Sequence, residues 1–572
     1  MSSDRLIYVD MTTETVEIRD FPEEWLLLGG RGLSAKILNK ECDPKCDPLG
    51  PDNVLVMAPG VLGGTSAPTS GRISIGGKSP LTGGIKEANT GGNPGQHLMK
   101  LGYRAIIVKG KPSDQGGRWG LEVDSSGASL VRTDEYKGMW NYALCEKLHE
   151  RYSKTASFIS CGPAGEHQLK GASVATTDQD NRYPARHAAR GGLGAVMGSK
   201  GLKYVAIEPA KASTRQPKNR KEFGNLCKGY SKEYLGGDQM FKFGTSAVVP
   251  LANMLHTFPY KNRTSGQSPD VETLDGKHIV ATFEERGGGM HNCLTGCIVK
   301  CSNVVHDSEG NYKTSALEFE TLTLLGANCA VSDWEDVADL DRLCDEIGLD
   351  TVETGAAIAV YMDADRLAWG DASGMKKLMQ EISDGTELGR AIGNGAVATG
   401  KYCGHSRVPT AKGQALPAWD PRPLKATGVT YCTSPMGADH TAGLIINPGL
   451  KPEQYAWESQ KVQIVNAVCD SSGFCQFLQP NMDDIRGFYG AMIGREITRE
   501  EIADIGWQVL EDEWAFNDAA GFTASDDVLA DCLTEDPIGK EPTVFDVPKD
   551  IIAAAKKRMP NQEDLFTARA AG

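Results

Sequence analysis

The chain of 572 residues has no apolar stretch of about 18 residues, the length that would let a helix cross a lipid bilayer. Its opening sequence, MSSDRLIYVDMTTETVEIRD, lacks both the basic and the apolar region of a secretory signal, so we expect a cytoplasmic protein without a membrane span. Positive charge is also scarce: 60 Lys and Arg face 75 Asp and Glu, which gives a net charge of −15. This balance argues against a nucleic-acid partner or an anionic membrane surface.

The features of a disulfide-stabilised protein are missing as well. The 15 cysteines are an odd number, are scattered over a long chain, and follow no export signal. We therefore expect reduced thiols, some of which serve as ligands. The 66 glycines lie in sequence that is not of low complexity, which indicates tight turns and close backbone approach to a bound group.

One cluster of thiols stands out in the segment HNCLTGCIVKCSN. Its three cysteines are each separated by three residues: Cys293, Cys297 and Cys301. On a continuous helix the outer two would lie roughly 12 Å apart along the axis. That is too far for one compact site, so we predict a loop that folds back at Gly296. Free buried thiols or a zinc site are alternatives, but a four-iron cluster with a remote fourth ligand fits best. Spacing leaves both Cys469 and Cys475 open for the fourth position.

The pattern of apolar residues predicts the fold class. Short alternating runs such as RLIYVDM, GRISIGG and LKYVAIE, separated by glycine and proline, indicate strands. After a polar, basic linker at 211–223, apolar residues recur at helical spacing, and a glycine- and proline-rich passage near 400–424 marks a further division. We predict an α+β protein with a β-rich N-terminal domain at 1–208 and two mainly helical domains at 209–405 and 406–572. No tandem repeat with a period of about 20–50 residues is evident.

Two short motifs share the pattern D-x-x-G, then an apolar residue, then Asp or Cys: DEIGLD at 345–350 and DSSGFC at 470–475. The pattern alone is weak, since DSSG at 124–127 and DASG at 371–374 repeat part of it. Both of the longer motifs, however, follow helical segments, and one ends on a cysteine. An Asp in such a turn can accept two hydrogen bonds from the amide-and-amine edge of a pterin ring.

Two glycine-rich segments surround cations with flexible backbone. SGRISIGGKSPLTGGIKEANTGGNPG contains Arg72, Lys78, Lys86 and Asn89, and RHAARGGLGAVMGSKGLK contains Arg186 and Arg190. Glycines beside cations suit phosphate groups, although simple tight turns would also account for each motif. Neither segment matches the P-loop or the dinucleotide-binding fingerprint.

In this combination and order, the motifs resemble the aldehyde:ferredoxin oxidoreductases, which are tungsten enzymes with a bis-pterin cofactor and a four-iron cluster. The resemblance spans the whole chain and rests on GGRGLSAKIL, SGRISIGGKSPLTGG with EANTGG, ARGGLGAVMGSKGLK, LEFETLTLLG, DEIGLD, TSPMGADHTAG and DSSGFC. It implies a β-rich base for the cofactor followed by two mainly helical domains. It also implies a tungstopterin, a [4Fe-4S] cluster and Mg²⁺.

The resemblance assigns roles to particular residues. It implies four cluster ligands: Cys293, Cys297, Cys301 and Cys475, with C-x-x-x-C where the family has C-x-x-C between the first two. The pterin contacts that it implies are Asp345, Leu349, Asp350, Asp470, Phe474 and Cys475. On the dithiolene, phosphate and magnesium side it implies Arg72, Asn89, Gly91, Arg186 and His187. Glu320 and His440 match the family's active-site acid/base pair.

The function implied is oxidation of an aldehyde to a carboxylic acid, with electrons passing through the cluster to ferredoxin or an iron–sulfur partner subunit. The enzyme would be a homodimer or part of a larger complex, and the metal could also be molybdenum. The alternative is the catalytic subunit of a benzoyl-CoA-type reductase, which acts on an aromatic acyl-CoA. For that alternative Cys329 matters, because it could ligate the metal or be a buried core thiol. A non-enzymatic electron-transfer subunit is disfavoured by the presence of Glu320, His440 and both D-x-x-G motifs.

Overall fold

The structure, a computed structural model, describes residues 4–234 and 240–570. The α+β class predicted from the sequence is confirmed: twelve strands in two sheets lie between Arg5 and Ile207, and helices dominate the rest. No helix in these described ranges has the length and apolar character that spanning a membrane would require.

The N-terminal region contains two six-stranded sheets. The first is built from β1 (Arg5–Asp10), β2 (Thr15–Asp20), β3 (Leu55–Pro59), β4 (Ile73–Lys78), β5 (Ile85–Thr90) and β6 (Tyr103–Lys109), with helices α1 (Gly30–Glu41) and α2 (Pro94–Lys100). The second is built from β7 (Trp119–Val123), β8 (Ala128–Arg132), β9 (Ser157–Ser160), β10 (Val174–Thr176), β11 (Arg186–Ala188) and β12 (Leu202–Ile207), with α3 (Asn141–Arg151), α4 (Pro163–Glu166) and α5 (Leu193–Ser199).

These two sheets have the same topology. Their strand orders are β2-β1-β6-β3-β4-β5 and β8-β7-β12-β9-β10-β11. In each sheet the first and the last strand in sequence, β1 with β6 and β7 with β12, form a parallel pair. All other neighbouring strands are antiparallel. The N-terminal region is therefore a structural duplication of about one hundred residues per half, longer than the repeats that a search at about 20–50 residues detects.

The helical region follows from α6 onward. It contains α6 (Arg220–Tyr234), α7 (Met240–Phe243), α8 (Val249–Met254), α9 (Gly276–Glu285), β13 (Gly289–His291), β14 (Ser302–His306), β15 (Tyr312–Ser315), α10 (Phe319–Thr321), α11 (Trp334–Ile347), α12 (Thr351–Asp363), α13 (Ala372–Asp384), α14 (Glu387–Gly393) and α15 (Ala396–Cys403). It continues with β16 (Thr410–Ala411), β17 (Gln414–Ala415), α16 (Lys425–Thr433), α17 (Pro452–Ser472), α18 (Met482–Ile493), α19 (Arg499–Ala520), α20 (Asp531–Thr534) and α21 (Lys549–Ala554).

Packing links these regions through shared cores. Leu322 on one side of the predicted boundary at 405/406 and Trp419 and Leu424 on the other belong to one hydrophobic cluster. Helix α1 of the first half packs against α17 and α19, and Arg31 in α1 donates two hydrogen bonds, of 2.8 and 2.7 Å, to Glu513 in α19. The three-domain division stays a prediction, since neighbouring segments contribute to common cores.

Candidate active site

A cavity of about 340 Å³ lies where the duplicated sheets meet the helical region. Both halves of the sheet region and the segments around residues 293–301, 318–321, 345–352, 439–441 and 475–477 contribute to its wall. Phe319 and Trp419 form an aromatic part of the wall, with ring centroids 5.1 Å apart. The cavity therefore collects residues that are far apart in sequence.

The cysteine segment folds as a loop, as its spacing predicted. Gly296 has a φ of +84°, a left-handed conformation that glycine adopts without cost, and the chain turns there. The Cys297 N–H donates to the carbonyl of Leu294 at 3.2 Å, which closes the turn. Cys293 and Cys301 reach the cavity, while Cys297 lies behind it in a hydrophobic cluster.

Thr69 connects the two cysteine segments, and the sequence reasoning missed it. Its N–H donates to the carbonyl of Gly296 at 2.9 Å, and its hydroxyl accepts from Ile298 N–H at 3.0 Å. Its own carbonyl accepts from Cys475 N–H at 3.0 Å. The φ of Thr69 is +55°, unusual for a β-branched residue and the one local sign of a constrained position. Through these bonds Thr69 links the loop that carries Cys293, Cys297 and Cys301 to Cys475.

The structure brings Cys475, and not Cys469, to the cavity. The Cys475 sulfur lies 3.9 Å from Arg72 Nη1 at the cavity wall. Cys469 is fully buried in the core, and its thiol donates to the carbonyl of Phe474 at 3.5 Å. Among the described residues, no three His, Cys, Asp or Glu side chains converge closely enough for a single metal ion. Cys293, Cys301 and Cys475 instead share the wall of one cavity.

Two buried guanidinium groups set the charge beside these thiols. A hydrogen bond from Cys297 lowers the pKa of Cys293, and Arg186 and Arg72 lower it further against the opposing effect of burial. A lowered pKa favours the thiolate, the form that binds metals. Glu318, on the same wall, has a pKa raised to about 7, because burial outweighs the attraction of Arg186, whose Nη1 lies 3.7 Å away.

The two D-x-x-G motifs form matching helix ends. Helices α11 and α17 both end just before a left-handed glycine, Gly348 with φ +80° and Gly473 with φ +87°. Each end packs against a glycine of the sheets. A Cβ on Gly162 would lie 2.3 Å from the Ile347 carbonyl oxygen, and one on Gly60 would lie 2.1 Å from the Gly473 nitrogen. Both contacts require glycine, so each half of the duplication receives one helix end at close range.

The end of α11 presents its polar groups to the cavity. The carboxylate of Asp345 lies 3.0 Å from His187 Nε2 and accepts from the Tyr142 hydroxyl at 3.2 Å. Leu349 lines the wall, and Asp350 caps α12 by accepting from Val352 N–H at 3.0 Å. Arg72, Asn89, Gly91, Arg186 and His187 also line this cavity, so most of the predicted cofactor residues are brought together.

Two predicted cofactor residues have side chains elsewhere. Phe474 is fully buried in the hydrophobic core, with its ring edge-on to Phe488 at 5.2 Å, so only its backbone could face a ligand. Asp470 does not line the cavity. It accepts from Gln476 at 3.1 Å and lies 3.7 Å from Arg31, and burial raises its pKa to about 8.

Glu320 and His440 lie next to each other in the cavity wall. Glu320 Oε1 lies 3.6 Å from His440 Nδ1, and neither atom has a hydrogen-bond partner among the described residues. The other oxygen, Glu320 Oε2, accepts from Ala418 N–H at 2.8 Å. Glu320 sits in α10, directly before a π-helical turn at Leu322–Gly326, an irregularity that is frequent at functional sites.

Buried cations hold the segment that carries His440. Lys86 Nζ lies 2.6 Å from Asp439 Oδ2, and Arg190 Nη1 donates to the Ala438 carbonyl at 2.6 Å. Burial alone would raise the pKa of Asp439, but Lys86 and Arg190 outweigh it and hold this pKa far below its usual range. Lys86 is thus paired within the protein, and Lys78 donates to the Cys46 carbonyl at 2.8 Å. Neither lysine lines the cavity.

Cys329 is a core thiol rather than a cavity residue. It is fully buried and lies 3.4 Å from the carbonyls of Leu324 and Gly355. Burial raises its pKa beyond its usual range, so it stays protonated. Glu318, in contrast, was missed by the sequence reasoning although it lies two residues before Glu320 and lines the same wall.

Two family models match the chain. Residues 6–209 match the family model of the aldehyde ferredoxin oxidoreductase N-terminal domain, and residues 226–557 match that of its domains 2 and 3. The chain is 31% identical to a tungsten-containing aldehyde ferredoxin oxidoreductase of Pyrococcus furiosus, covering 94% of this chain and 92% of the relative. It is 28% identical to the WOR-like subunit of an aliphatic sulfonate oxidoreductase of the same organism, covering 88% and 84%.

A solved structure has the same fold. It is titled as the active-site complex BamBC of benzoyl coenzyme A reductase with 1,5-dienoyl-CoA, and it superimposes with a TM-score of 0.79, covering 97% of this chain and 92% of that one. At 18% identity this likeness concerns the fold alone. The two family models together span most of the sequence, and the chain belongs to the aldehyde ferredoxin oxidoreductase family.

Proposed function

We propose that this protein is a tungsten pterin enzyme that oxidises aldehydes to carboxylic acids. The observation that carries the proposal is one cavity wall that joins the facing pair Glu320 and His440 to the thiols of Cys293, Cys301 and Cys475. Proton-handling groups and electron-handling ligands are therefore next to one another. Aldehyde oxidation needs both, because an aldehyde and water give an acid, two electrons and two protons.

The residues of the cavity fit an anionic pterin cofactor. Arg186 is buried, and its Nε and Nη2 have no hydrogen-bond partner among the described residues, so these donors are available to a phosphate or dithiolene group. In the proposed arrangement the dithiolene, phosphate and Mg²⁺ side is held by Arg72, Asn89, Gly91, Arg186 and His187. The pterin rings would be held by Asp345, Leu349, Asp350, Cys475 and the backbone of Phe474, whereas Asp470 does not line the cavity.

The proposed cluster is a [4Fe-4S] group on Cys293, Cys297, Cys301 and Cys475. Arg72 donates to Asn89 and lies beside Cys475, which gives it a bridging position between the thiols and the cavity. All fifteen cysteines are free, which supports a reducing compartment such as the cytoplasm. We propose ferredoxin or an iron–sulfur subunit as the electron acceptor, and a homodimer or a larger complex as the assembly.

When bound, the tungsten pterin would supply the two-electron oxygen chemistry that no side chain performs. The chain's own part is to position the substrate and to move protons. Glu320 is anchored through Oε2, which leaves Oε1 directed at His440. Their side chains are 18% and 16% exposed, so a proton that Glu320 accepts from water or hydrated aldehyde can pass to His440 and out to solvent.

A second candidate function is the reduction of an aromatic acyl-CoA. The superposition on a benzoyl coenzyme A reductase complex supports it at the level of fold. Cys329, the residue that would favour it as a metal ligand, lies in the core and away from the cavity. Aldehyde oxidation is therefore the better-supported function.

The test is an anaerobic assay of the purified enzyme with simple aldehydes and a viologen dye. Glu320→Gln keeps the size and the hydrogen bond to Ala418 but removes the base, so turnover should fall by roughly 10² to 10⁴. His440→Asn should have a similar effect, and tungsten and iron content should stay unchanged in both. A matched control is Glu318→Gln on the same wall, which should lose less than about tenfold because it faces Arg186 instead of His440.

Three outcomes contradict the proposal. Activity with dienoyl-CoA or benzoyl-CoA alone would favour the second candidate. Full turnover in Glu320→Gln would exclude this carboxylate as the base. Loss of metal from either variant would indicate a structural role in place of proton transfer.

A further inference from the structure

One stretch of this acidic protein is strongly basic. Residues 211–234, which include helix α6, contain seven Lys and Arg against two Glu, in a chain whose net charge is −15. The basic residues are Lys211, Arg215, Lys218, Arg220, Lys221, Lys228 and Lys232. Arg215 is paired with Asp4 at 3.2 Å, so the other six cations and the two Glu leave a local excess of four positive charges. The field of this excess attracts acidic partners, even where the whole molecule repels them.

Helix α6 displays three of these lysines along one exposed stripe. Lys221, Lys228 and Lys232 are spaced by seven and four residues, which places them on the same face of a helix. All three are exposed, and none forms an ion pair within the described ranges 4–234 and 240–570. The two glutamates of the stretch are engaged elsewhere: Glu222 accepts from Asn219 at 2.5 Å, and Glu233 lies 3.5 Å from Arg569.

The opposite face of α6 packs on the segments that carry the thiols. Phe223 and Tyr230 are buried in the hydrophobic cluster that also contains Cys297 and Cys301. The Tyr230 hydroxyl donates to the carbonyl of Leu478 at 3.0 Å, three residues after Cys475. The lysine stripe is thus the outer surface of the helix that covers the cysteine cluster.

A continuous line of contacts leads from the stripe to the exposed tip of the cysteine loop. Cys227, beside Lys228, lies with its sulfur 3.4 Å from the carbonyl of Ser66. Three residues on, Thr69 N–H donates to Gly296 at 2.9 Å. Gly296 is exposed at the surface between Cys293 and Cys297, and so is Thr295. The loop that carries Cys293 and Cys297 therefore reaches solvent at Thr295 and Gly296.

We infer that this surface, the exposed face of α6 together with the tip of the cysteine loop, is the docking site of a small acidic one-electron carrier protein. The inference rests on the proposed function and adds where the electrons leave. Oxidation of one aldehyde by water yields one acid, two protons and two electrons, which reduce two molecules of the carrier in succession. The lysines attract the acidic face of the carrier and orient it over the loop, where Thr295 and Gly296 are exposed between Cys293 and Cys297.

The experiment compares two acceptors for the holoenzyme turning over an aldehyde: an acidic ferredoxin and a viologen dye. In the triple variant Lys221→Glu, Lys228→Glu, Lys232→Glu, we expect the KM for ferredoxin to rise at least about tenfold at low ionic strength, since charge steering changes association rates by 10-fold or more. The viologen rate should not fall, because the dye needs no docking surface. For the unmodified enzyme, added salt should weaken ferredoxin reduction alone.

The matched control reverses three exposed lysines on other helices: Lys377→Glu, Lys401→Glu and Lys549→Glu. It introduces the same charge change, so an equal rise in KM would attribute the effect to net charge and overturn the docking site. An unchanged KM in the α6 variant would overturn it as well. Absence of viologen reduction in the unmodified enzyme would refute the proposed function instead. Docking would then be judged by calorimetric titration with oxidised ferredoxin, where loss of binding in the α6 variant alone supports the site.

Discussion

Lys86 and Arg186 occupy the same place in the two halves of the duplicated sheet region, yet their surroundings differ. Each lies in the edge strand of its sheet and five residues before a Gly-Gly pair. Lys86 is neutralised by Asp439 at 2.6 Å. Arg186 has its nearest carboxylate, Glu318, at 3.7 Å, and two of its nitrogens have no partner among the described residues.

This difference separates a structural cation, Lys86, from Arg186, which we propose binds the cofactor. A buried cation with an internal partner fixes the fold, and here it fixes the segment before His440. A buried cation whose donors point into a cavity is costly for the protein alone and becomes favourable when an anion binds. The two halves share their topology and the close contact of a glycine with a helix end. They differ in the anion that neutralises the buried cation: Asp439 of the protein for Lys86, and a bound anionic group, as we propose, for Arg186.

The largest expected effect comes from the residue that closes each of the two motifs at the matching helix ends. In DEIGLD the sixth residue is Asp350, and in DSSGFC it is Cys475. Cys475→Ala should abolish the proposed cluster, so iron content and the broad visible absorption should both collapse. Cys469→Ala is the control, because that thiol is buried in the core and should leave both signals nearly intact. Retention of iron in Cys475→Ala, or its loss in Cys469→Ala, would reverse the assignment.

The second prediction tests the two cations directly. Lys86→Met leaves Asp439 buried beside fewer charges, and breaking a buried pair in this way costs about 3–5 kcal/mol of unfolding free energy. The folded-state pKa of Asp439 is lowered in the intact protein, so the pair contributes stability above the unfolded pKa of about 3.9. Without Lys86 this pKa rises, and the deficit should be greatest near neutral pH and shrink as the pH falls. Chemical denaturation at several pH values measures it.

Arg186→Met should behave in the opposite way. In protein prepared without tungstate, unfolding free energy should change by less than about 1 kcal/mol, because the lost group pairs with Glu318 only at 3.7 Å, which is too far for a hydrogen bond. In protein prepared with tungstate, bound tungsten should fall sharply. Equal destabilisation by Lys86→Met and Arg186→Met would remove the distinction between the two halves.

The mutations expected to affect function least test whether the two halves hold their helix ends in the same way. Gly60→Ala and Gly162→Ala each insert a methyl group against backbone atoms of a helix end, at 2.1 and 2.3 Å. Overpacking of this kind costs about 1–3 kcal/mol, and we expect similar losses at both sites. Gly224→Ala is the control, because a Cβ there meets nothing within 4 Å and alanine has a higher helix propensity than glycine. A strong effect at only one sheet glycine would show that the helix ends are not equivalent.

The sequence was most informative where local rules decide the structure. Alternating apolar residues predicted the strands, and the three-residue spacing of the cysteines predicted a loop. The two D-x-x-G motifs were predicted to follow helical segments, and in the structure each helix ends at the glycine of the motif, because a glycine in the left-handed conformation ends a helix. Most of the cofactor residues that the family resemblance implied do line one cavity.

What the sequence could not supply depends on contacts between distant segments. Lys86 finds Asp439 at a separation of 353 residues, so its role as a structural cation has no local signal. The ring of Phe474 turns into the core because Phe488 and Tyr230 lie there, and the choice between Cys469 and Cys475 depends on Thr69. The duplication was hidden because topology was retained over a longer period than the one searched.

The hydrogen-bonded pair Arg31 and Glu513 has a consequence for synthesis of the protein. The two residues are 482 positions apart, and Arg31 is fully buried once α17 and α19 have packed on α1. At ribosomal rates of about 5–20 residues per second, roughly half a minute to a minute and a half separates the two residues during translation. Throughout that interval α1 of the nascent chain can pack on its own sheet, but the face that contacts α17 and α19 stays uncovered until those helices emerge. Holding chaperones should therefore bind the growing chain early and leave it only near the end of synthesis.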